Sequence, residues 1–387
     1  MDACSVLIVG GGPAGSSCAW GLRQAGVDAV VLDKRAFPRD KVCGGWITPQ
    51  ILEELRFDPE EYARGRVLQP ITAFRTSIIG GPEIETRYAA PISYGIRRCE
   101  FDDFLLKRSG ARMYLGAPLE SLERSGDSWI VNGKLRARLV VGAGGHFCPV
   151  ARFLGASARA EIAVAAQEAE FEMDSAQRSR CSIEPEAPEL YFCDDMRGYG
   201  WCFRKQNFLN IGLGRLDPHG LPAHFSALLA FLRRTGKVGF DLPRACLGHA
   251  YLLYTKTKRP LVSGGMLLIG DSAGLAYSQS GEGIRPAIES GLLAAKAIAE
   301  ADGMYTREGL ESYRASLTAR LGPSSGDWST SIGRRLPAAV MAAFARALMA
   351  THWFPRHMVL DRWFLHRNES ALNFHVPSHA VAASAAD

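Results

Sequence analysis

The sequence predicts an α/β fold with a parallel sheet, a second domain built on an antiparallel β-sheet, and C-terminal helices. Three observations predict it. A glycine-rich loop, Gly10 to Gly15, joins a buried strand to a helix near the N-terminus. A second glycine-rich loop follows an apolar strand between Leu268 and Gly291. Between them, residues 158–254 contain short alternating or aromatic runs that are typical of antiparallel strands.

Length and composition indicate a globular protein of two domains. The chain has 387 residues, of which 47% are hydrophobic and 22% charged, and its formal net charge is +5. This charge is too small to indicate a nucleic-acid partner, but it suits an anionic small molecule or a weak contact with a membrane surface. The nine cysteines contain no Cys-x-x-Cys pair, and the histidines lack metal-ligand spacing. The sequence therefore predicts no disulfide scaffold, no metal site and a reducing compartment.

Membrane-crossing and export segments are not evident in the sequence. The N-terminus carries Asp2 where a signal peptide has basic residues. The nearest candidate for a spanning helix, Leu336 to Ala350, is shorter than the ~18 apolar residues required and contains Arg346. We expect a cytoplasmic protein whose aromatic and basic C-terminal helices make at most a peripheral contact with a membrane.

The N-terminal loop has the spacing of a dinucleotide-binding turn. Ser5 to Val9 is an aliphatic strand, and Gly10, Gly12 and Gly15 follow it before a helix at Ser16 to Gln24. In such a loop the first glycine permits a tight turn, the second lets the backbone approach a pyrophosphate, and the third allows close helix–strand packing. Together with its strand and helix, the triplet predicts a Rossmann-like site for an ADP-containing dinucleotide.

Two further strands decide which dinucleotide is expected. The strand Ala29 to Leu32 ends in Asp33, near the spacing of about 20 residues at which an acid binds the ribose. The strand in Lys134 to Gly145 also ends in glycines, but it has no following Gly-x-x-Gly. We interpret it as a strand that returns beside the first site. Without a second complete glycine fingerprint, a separate nicotinamide domain is not predicted.

The segment from Leu268 to Gly291 adds a carboxylate and a helix N-terminus to the same site. Its apolar strand ends before Asp271, and a helix begins at about Gly283. Asp271 is placed to accept hydrogen bonds from sugar hydroxyls, and the N–H groups of Gly281, Glu282 and Gly283 lie at the positive end of the helix dipole. Three strand ends then converge on one elongated ligand, and an extended FAD fits such a site.

Five motifs resemble those of the flavoproteins that share the p-hydroxybenzoate hydroxylase fold, and most closely the geranylgeranyl reductase-like branch. The motifs are GGGPAGSSCA followed by VVLDKR, KVCGGWITP at Lys41 to Pro49, the Arg-x-x-Phe-Asp element at Arg98 to Asp102, GYGWCFRKQNFLNIGLG at Gly198 to Gly214, and GDSAG followed by SGEGI. The last motif is the most specific, because aromatic hydroxylases place a histidine after the GD pair and read GQG later. Flavin-dependent halogenases are also similar, but their tryptophan–isoleucine–proline motif is not found in this sequence.

The resemblance implies a set of FAD-binding residues. They are Gly10, Gly12, Pro13, Ala14, Gly15, Asp33, Lys34, Arg35, Cys43, Gly44, Arg98, Gly144, Asp271, Gly281, Glu282, Gly283 and Ile284. In this set the N-terminal glycines would hold the pyrophosphate, Asp33 the adenosine ribose, and Arg98 the phosphates or ribityl chain. The N–H groups from Gly281 to Ile284 would face the flavin pyrimidine oxygen, where a helix N-terminus stabilises the charge that appears on reduction.

The chain departs from the family pattern at two positions. Gly144 stands where the superfamily has aspartate, so a ribityl or loop contact is expected to be weaker. Arg204 stands where the branch has proline after the aromatic segment. The substrate wall is therefore expected to differ from that of the relatives.

Two groups of residues each have a functional and a structural interpretation. Cys43, in the loop that the resemblance places beside the isoalloxazine, is either a catalytic thiol that handles a proton or a small residue packed under the ring. Tyr199, Trp201 and Phe203 either line an apolar tunnel for an isoprenoid chain or belong to the core.

These observations predict an FAD-dependent oxidoreductase that reduces carbon–carbon double bonds of a hydrophobic, isoprenoid-like substrate. NAD(P)H or an electron-transfer protein would be the transient donor. The alternatives are a monooxygenase or halogenase that acts through a flavin hydroperoxide, and a flavin electron carrier without a substrate of its own. The predicted FAD-binding domain comprises residues 1–70, 95–157 and 255–325. The predicted substrate domain comprises residues 71–94 and 158–254, and the C-terminal helical region residues 326–387.

Overall fold

The computed structural model of the protein describes residues 1–157, 161–242, 246–323 and 338–375. Within these ranges the strands form sheets of eight, seven and three strands. The fold is α/β with a parallel sheet, an antiparallel sheet and C-terminal helices, which confirms the predicted fold class. The domain boundaries stay a prediction. The part of the predicted C-terminal region at 326–337 and 376–387 lies outside the described residues.

The first sheet is the parallel one. Its strands are β1 (Asp2–Val9), β2 (Ala29–Asp33), β8 (Arg112–Leu115), β9 (Leu122–Ser125), β10 (Ser128–Val131), β11 (Leu135–Gly142), β17 (Val262–Ser263) and β18 (Met266–Leu268). They follow the order β17-β18-β11-β1-β2-β8, and β10 and β9 extend from β11. From β18 to β8 every neighbouring pair is parallel. Val6, Leu7 and Ile8 are completely buried, as expected for a central parallel strand covered on both faces.

The second sheet is antiparallel except for one pair. Its strands are β5 (Ala73–Ile78), β6 (Ile84–Arg87), β12 (Val164–Glu172), β13 (Glu189–Phe192), β14 (Gly198–Lys205), β15 (Phe208–Arg215) and β16 (Leu247–Tyr251). Their order is β16-β12-β15-β14-β13-β5-β6, and only β13 and β5 are parallel. A small sheet of β3 (Trp46–Ile47), β7 (Ser93–Ile96) and β4 (Leu68–Ile71) completes the β structure of the described residues.

Ten α-helices accompany the sheets in the described ranges. They are α1 (Pro13–Gln24), α2 (Pro49–Leu55), α3 (Pro59–Ala63), α4 (Arg98–Ser109), α5 (Pro149–Phe153), α6 (Ser175–Ser179), α7 (Leu221–Arg234), α8 (Ile284–Glu300), α9 (Glu311–Leu321) and α10 (Ala338–Met349). A π-helix at Pro355–Phe364 and 3₁₀ turns at Tyr254–Lys256 and Gly270–Ser272 complete the list. No helix among the described residues is long and apolar enough to span a lipid bilayer.

The two faces of the second sheet have different partners. One face packs on α7, where Leu228 and Leu232 are completely buried. The other face forms a cluster that contains Trp46, Phe203 and the C-terminal Phe364. The C-terminal segment therefore packs on the sheet, although its Trp353 remains 62% exposed. Residues of β12, β14 and β16 in the second sheet remain uncovered and contact the same cavity as the loops that follow β1, β2, β11 and β18 of the first sheet.

Close packing of α1 on α8 brings the two glycine-rich loops together. At Gly291, in the middle of α8, an added Cβ would lie only 2.3 Å from the carbonyl oxygen of Ala14. A side chain at this position would push the helices apart, so glycine is needed for the approach. The N-termini of both helices consequently open into the same space at the carboxyl ends of β1 and β18, where ligands of parallel sheets bind.

Candidate functional site

One cavity of about 610 Å³ lies where the carboxyl ends of the parallel strands meet the second sheet. Every residue predicted to bind FAD lines this cavity except Gly15. Of the three aromatic residues expected to line a tunnel, Tyr199 and Trp201 do so, and Phe203 does not. The cavity thus joins the predicted cofactor residues to part of the predicted substrate wall.

The N-terminus of α1 is built to receive an anionic group. Gly10 has a φ of +119°, and a Cβ there would lie 2.3 Å from the carbonyl oxygen of Ala143. Gly15 does not line the cavity, and a Cβ there would lie 1.9 Å from the carbonyl oxygen of Gly10, so the close packing at this position requires glycine. No side chain among the described residues caps α1, so the N–H groups of its first turn remain available to a ligand. This open helix end fits the pyrophosphate of FAD.

Asp33 is fixed at the end of β2 by the loop that it faces. Its Oδ2 accepts a hydrogen bond from the Gly11 N–H at 2.7 Å, and its Oδ1 accepts one from the Arg35 N–H at 2.8 Å. The residue is 8% exposed, and its carboxylate lines the cavity. Each carboxylate oxygen retains a free lone pair. Asp33 is therefore held in a position from which it can accept hydrogen bonds from ribose hydroxyls.

A buried ion pair of Arg98 and Asp102 lies at another part of the cavity wall. Arg98 binds Asp102 through two hydrogen bonds of 2.8 and 2.9 Å, and Arg39 lies 3.3 Å from the same carboxylate. Burial alone would lower the pKa of Arg98, but the Asp102 carboxylate outweighs burial and raises it. Arg98 is consequently a fixed positive charge beside the cavity, as a group that faces phosphates or a ribityl chain requires.

The N-terminus of α8 differs from the expectation that its N–H groups face the flavin. The Gly281 N–H donates to the Tyr277 carbonyl at 2.8 Å, and the Glu282 N–H donates to a serine hydroxyl. The Ile284 N–H donates to Oε1 of Glu282 at 2.7 Å, so the glutamate side chain caps the helix from inside the motif. Of these four N–H groups, only that of Gly283 has no hydrogen-bond partner within the described residues.

The Cys43 loop is anchored to the second sheet. The Cys43 N–H donates to the Glu168 carboxylate, and the Cys43 carbonyl accepts a 3.1 Å hydrogen bond from Nδ2 of Asn210. Burial, with a contribution from the neighbouring Glu170, raises the pKa of Glu168 to about 8. The Cys43 sulfur accepts a 3.4 Å hydrogen bond from the Gly45 N–H. The loop is therefore held rigidly between the two sheets, with Cys43 at the cavity surface.

The aromatic residues of β14 separate into two groups. The Tyr199 hydroxyl donates to the Ser280 carbonyl at 2.6 Å, and Nε1 of Trp201 donates to Oδ1 of Asn210 at 2.6 Å. Phe203 is 1% exposed and packs against Trp46, with the ring centroids 5.1 Å apart. The expectation that Phe203 lines a tunnel is wrong, because Trp46 covers the ring and makes it part of the core.

The two departures from the family pattern lie in different environments. At Gly144 a Cβ would come within 3.3 Å of the Cα and sulfur of Cys148, so the turn that follows fills the space of a larger side chain. Arg204 does not line the cavity, and its Nε donates to the Gln206 carbonyl at 3.1 Å. Arg204 is therefore not part of the wall of this cavity, and the expected difference from the relatives stays a prediction.

Sequence reasoning missed a polar cluster in the same cavity. Nζ of Lys41 lies 2.5 Å from Nε2 of His249, and Oδ2 of Asp271 lies 3.7 Å from that nitrogen. Tyr251, two residues after His249 on β16, lines the cavity beside it. The sequence offered one signal for this cluster: His249 and Tyr251 are two positions apart on a strand and therefore lie on the same face. Nothing in the sequence indicates that Lys41, far away in the chain, meets that face.

Comparisons with known proteins agree with this geometry. Residues 3–58 match a protein family described as an FAD binding domain. A menaquinone reductase of Mycobacterium tuberculosis is 30% identical over 326 residues, which cover 78% of each chain. A digeranylgeranylglycerophospholipid reductase of Methanosphaera stadtmanae is 27% identical and covers 82% of this chain and 83% of its own length.

A solved structure extends the similarity to the fold. The crystal structure of a geranylgeranyl bacteriochlorophyll reductase-like protein from Thermoplasma acidophilum superposes with a TM-score of 0.76 at 20% identity. The match covers 95% of this chain and 98% of that one. The shared fold, the cavity and the sequence relatives lead to one conclusion: the chain belongs to the geranylgeranyl reductase-like FAD-dependent oxidoreductases.

Proposed function

We propose that the protein reduces carbon–carbon double bonds of an isoprenoid-like lipid with electrons from reduced FAD. The observation that carries this proposal is the shared cavity: Tyr199, Trp201 and Tyr251 line the same space as the FAD-binding residues. The names of the relatives support the substrate class, since one acts on menaquinone and another on a digeranylgeranyl lipid. When bound, FAD supplies the hydride, and the residues of the chain supply orientation and a dry environment.

Tyr199, Trp201 and Tyr251 form the aromatic wall of the cavity, and the hydrogen bonds of the first two suit an apolar substrate. The Tyr199 hydroxyl and the Trp201 indole N–H each use their polar atom on a protein acceptor. Their rings are therefore left as the surface that a hydrocarbon chain contacts. An isoprenoid chain that packs against these rings excludes water from the reacting carbons. The dry site favours hydride transfer and prevents side reactions with water.

The electron donor and the partners stay predictions. NAD(P)H or an electron-transfer protein is proposed to reduce FAD by transient docking, because the sequence contains no second glycine fingerprint. A peripheral contact of the C-terminal segment with a membrane is also proposed. It is supported by the exposed Trp353 and the basic residues around it.

The test uses the FAD-loaded protein, reduced under anaerobic conditions and mixed with a short-chain menaquinone or a digeranylgeranylglycerophospholipid. After any menaquinol has been reoxidised to the quinone in air, mass spectrometry should show lipid products that keep a gain of two hydrogen atoms for each reduced carbon–carbon double bond. Trp201→Ala should lower the yield by shortening the wall, whereas Phe203→Leu should affect it less because Phe203 lies behind the wall.

The same experiment separates the alternatives. In air, products that gain one oxygen atom, together with a persistent hydroperoxide absorbance, would establish a monooxygenase. A halogenated product formed with added halide would establish a halogenase. If no lipid is changed but an added electron acceptor rapidly reoxidises the flavin, the protein is an electron carrier and the proposal is wrong.

A further inference from the structure

We propose that Lys41, held by His249 and Asp271 in the wall of the cavity, donates the proton that completes reduction of the double bond. This inference rests on the proposed function. It assigns the acid role to Lys41 rather than to Cys43, and it gives His249 the role of a positioning residue. The three side chains come from separate parts of the chain: the loop before β3, the strand β16, and the 3₁₀ turn after β18.

The geometry places a proton donor beside the expected reaction site. Nζ of Lys41 lies 2.5 Å from Nε2 of His249, and all three residues line the cavity together with Cys43 and Tyr251. Oδ2 of Asp271 is 3.7 Å from Nε2 of His249, too far for a hydrogen bond but close enough to act electrostatically. The His249 ring stacks on Tyr251 with the centroids 6.4 Å apart, so the cluster adjoins an aromatic residue of the cavity wall.

Burial and the neighbouring charges shift the pKa values of Lys41 and His249 so that Lys41 carries the proton of this pair. Burial lowers the pKa of Lys41 to about 8, Asp271 opposes this effect, and the cations Arg98 and Arg39 add to it, while Cys43 is the remaining titratable neighbour. Burial and the neighbouring Lys41 charge lower the pKa of His249 to about 4.

Asp271 completes the charge pattern of the cluster. Although burial alone would raise its pKa, His249 and Lys41 keep it at about 2. At neutral pH Asp271 is therefore ionised, His249 is neutral, and Lys41 is an ammonium ion that donates a hydrogen bond to the imidazole.

Two tyrosines and a cysteine of the cavity are less suited to this role. The Tyr199 hydroxyl already donates to the Ser280 carbonyl, and burial raises the pKa of both Tyr199 and Tyr251 well above the ordinary value. The Cys43 sulfur accepts a hydrogen bond from the Gly45 N–H, a contact that fixes the side chain without orienting its S–H proton. A proton donor works best when its pKa lies near the working pH, and the environment of Lys41 brings it into that range.

Each reduced double bond gains one hydride and one proton. The double bond accepts two electrons, which arrive as a hydride from the reduced flavin at one carbon. The π electrons form a new bond from the other carbon to the Lys41 proton, and the flavin is left oxidised. Nζ of Lys41 becomes a neutral amine and takes a proton from water after the product leaves. His249 keeps Nζ oriented because it accepts the hydrogen bond of another ammonium proton.

The test compares Lys41→Met, Lys41→Arg and His249→Phe with the wild type, using single turnovers of the reduced, FAD-loaded protein with a short-chain menaquinone. Lys107→Met, at an exposed lysine paired with Asp103, is the control for loss of a positive charge. The rate at which the menaquinone side chain loses a double bond is measured from pH 6 to about 10, a range that brackets the Lys41 pKa of about 8. Flavin content is read from the absorbance of each purified variant.

The expected results separate chemistry from structure. The wild-type rate should be highest below pH 8 and fall above it, because the ammonium form is the donor. Lys41→Met should lose at least ~10²-fold in rate with normal flavin content, and Lys41→Arg should also be slow but without the fall near pH 8. His249→Phe should lose less than Lys41→Met. In the resting protein, the rate at which acetic anhydride acetylates Lys41 should rise with pH and have its midpoint near pH 8.

Three outcomes would overturn the inference. They are a wild-type rate in Lys41→Met, an unchanged pH profile in Lys41→Arg, and a Lys41 acetylation midpoint near the ordinary lysine value of 10.5. Failure of the proposed function looks different, because the wild type itself then forms no menaquinone with a saturated side-chain double bond at any pH. In that case the proton-donor role fails with it.

Discussion

Two helix N-termini face the same cavity, and they are built in opposite ways. α1 begins after a glycine without any side-chain cap, so its first N–H groups are open. α8 begins inside the SGEGI motif, where Glu282 accepts hydrogen bonds from the Ile284 N–H at 2.7 Å and the Arg285 N–H at 3.0 Å. Both loops are rich in glycine, and both look like anion sites in the sequence.

The difference assigns the two ends to different parts of the cofactor. An open N-terminus attracts negative charge, which suits the pyrophosphate. At α8 a carboxylate already occupies that end and offsets its positive potential, although burial raises the pKa of Glu282. Gly281 is required there for another reason: at its φ of +69°, a Cβ would lie 2.4 Å from the Tyr251 hydroxyl. One glycine loop thus exposes N–H groups, and the other makes room for a wall residue.

The largest effect is expected from a pair of substitutions in the α1 loop. Gly15→Ala places a Cβ 1.9 Å from the Gly10 carbonyl oxygen, a backbone clash that should cost about 3 kcal/mol or more of folding stability. Gly12→Val meets only the end of the Arg39 side chain at 3.4 Å, so the fold should survive while the pyrophosphate is excluded. Thermal unfolding and the flavin-to-protein absorbance ratio distinguish them.

The outcomes of this pair test the open helix end directly. Gly12→Val should unfold close to the temperature of the wild-type protein without FAD and contain no flavin. If it retains flavin, the N-terminus of α1 does not hold the cofactor. A normal melting temperature for Gly15→Ala would contradict the packing role given to that glycine.

A smaller effect is expected at Asp33. Replacing it with alanine removes a charged acceptor and leaves the Gly11 and Arg35 N–H groups without their partner. A hydrogen bond to a charged group contributes about 1.5–3 kcal/mol, so FAD should bind at least ~10-fold more weakly, and the protein should be purified without its yellow colour. Asp33→Asn, which keeps one acceptor oxygen, is the matched control and should fall between them in a fluorescence titration. Equal FAD affinity in all three proteins would show that Asp33 does not contact the cofactor.

The first half of the site could be predicted from the sequence because its rules are local. A strand, a glycine loop and a helix follow one another within residues 5–24, and Asp33 follows at a known spacing. The spacing of these residues is sufficient because the turn and Asp33 meet through hydrogen bonds of the neighbouring strands β1 and β2, such as that from the Gly11 N–H to Asp33. The alternating or aromatic runs that predicted antiparallel strands within residues 158–254 likewise fall on strands, namely β12, β13, β14 and β15.

The rest of the site depends on contacts between distant segments. Lys41 meets His249 only because β16 lies at the edge of the second sheet, above the Cys43 loop. Phe203 alternates correctly with Tyr199 and Trp201, but Trp46 from another sheet covers it. In the SGEGI motif Glu282 looks like a residue that only separates two glycines. The conformation of its side chain in the structure shows that it caps α8. Periodicity gives the face of a strand, and it does not give what covers that face.

The smallest expected effect sharpens the comparison of the two helix ends. Glu282→Ala would free the N–H groups of Ile284 and Arg285 and remove a negative charge beside the cavity. A helix N-terminus stabilises a nearby anion by about 0.3–1 kcal/mol, and by up to ~2 kcal/mol when it is partly buried. For a two-electron couple this corresponds to a rise in the reduction potential of bound FAD of about 6–40 mV, because the reduced flavin carries the added charge. Spectroelectrochemistry measures it.

Glu282→Gln separates the two causes within that shift. Its amide oxygen can still cap α8, so the N–H groups stay occupied while the charge is lost. If charge alone sets the potential, the glutamine and alanine variants should shift equally. A larger rise in the alanine variant would show that the released N–H groups reach the flavin. A potential that falls in both variants would mean that Glu282 does not oppose the helix end, and the contrast with α1 would then be one of hydrogen bonding rather than of charge.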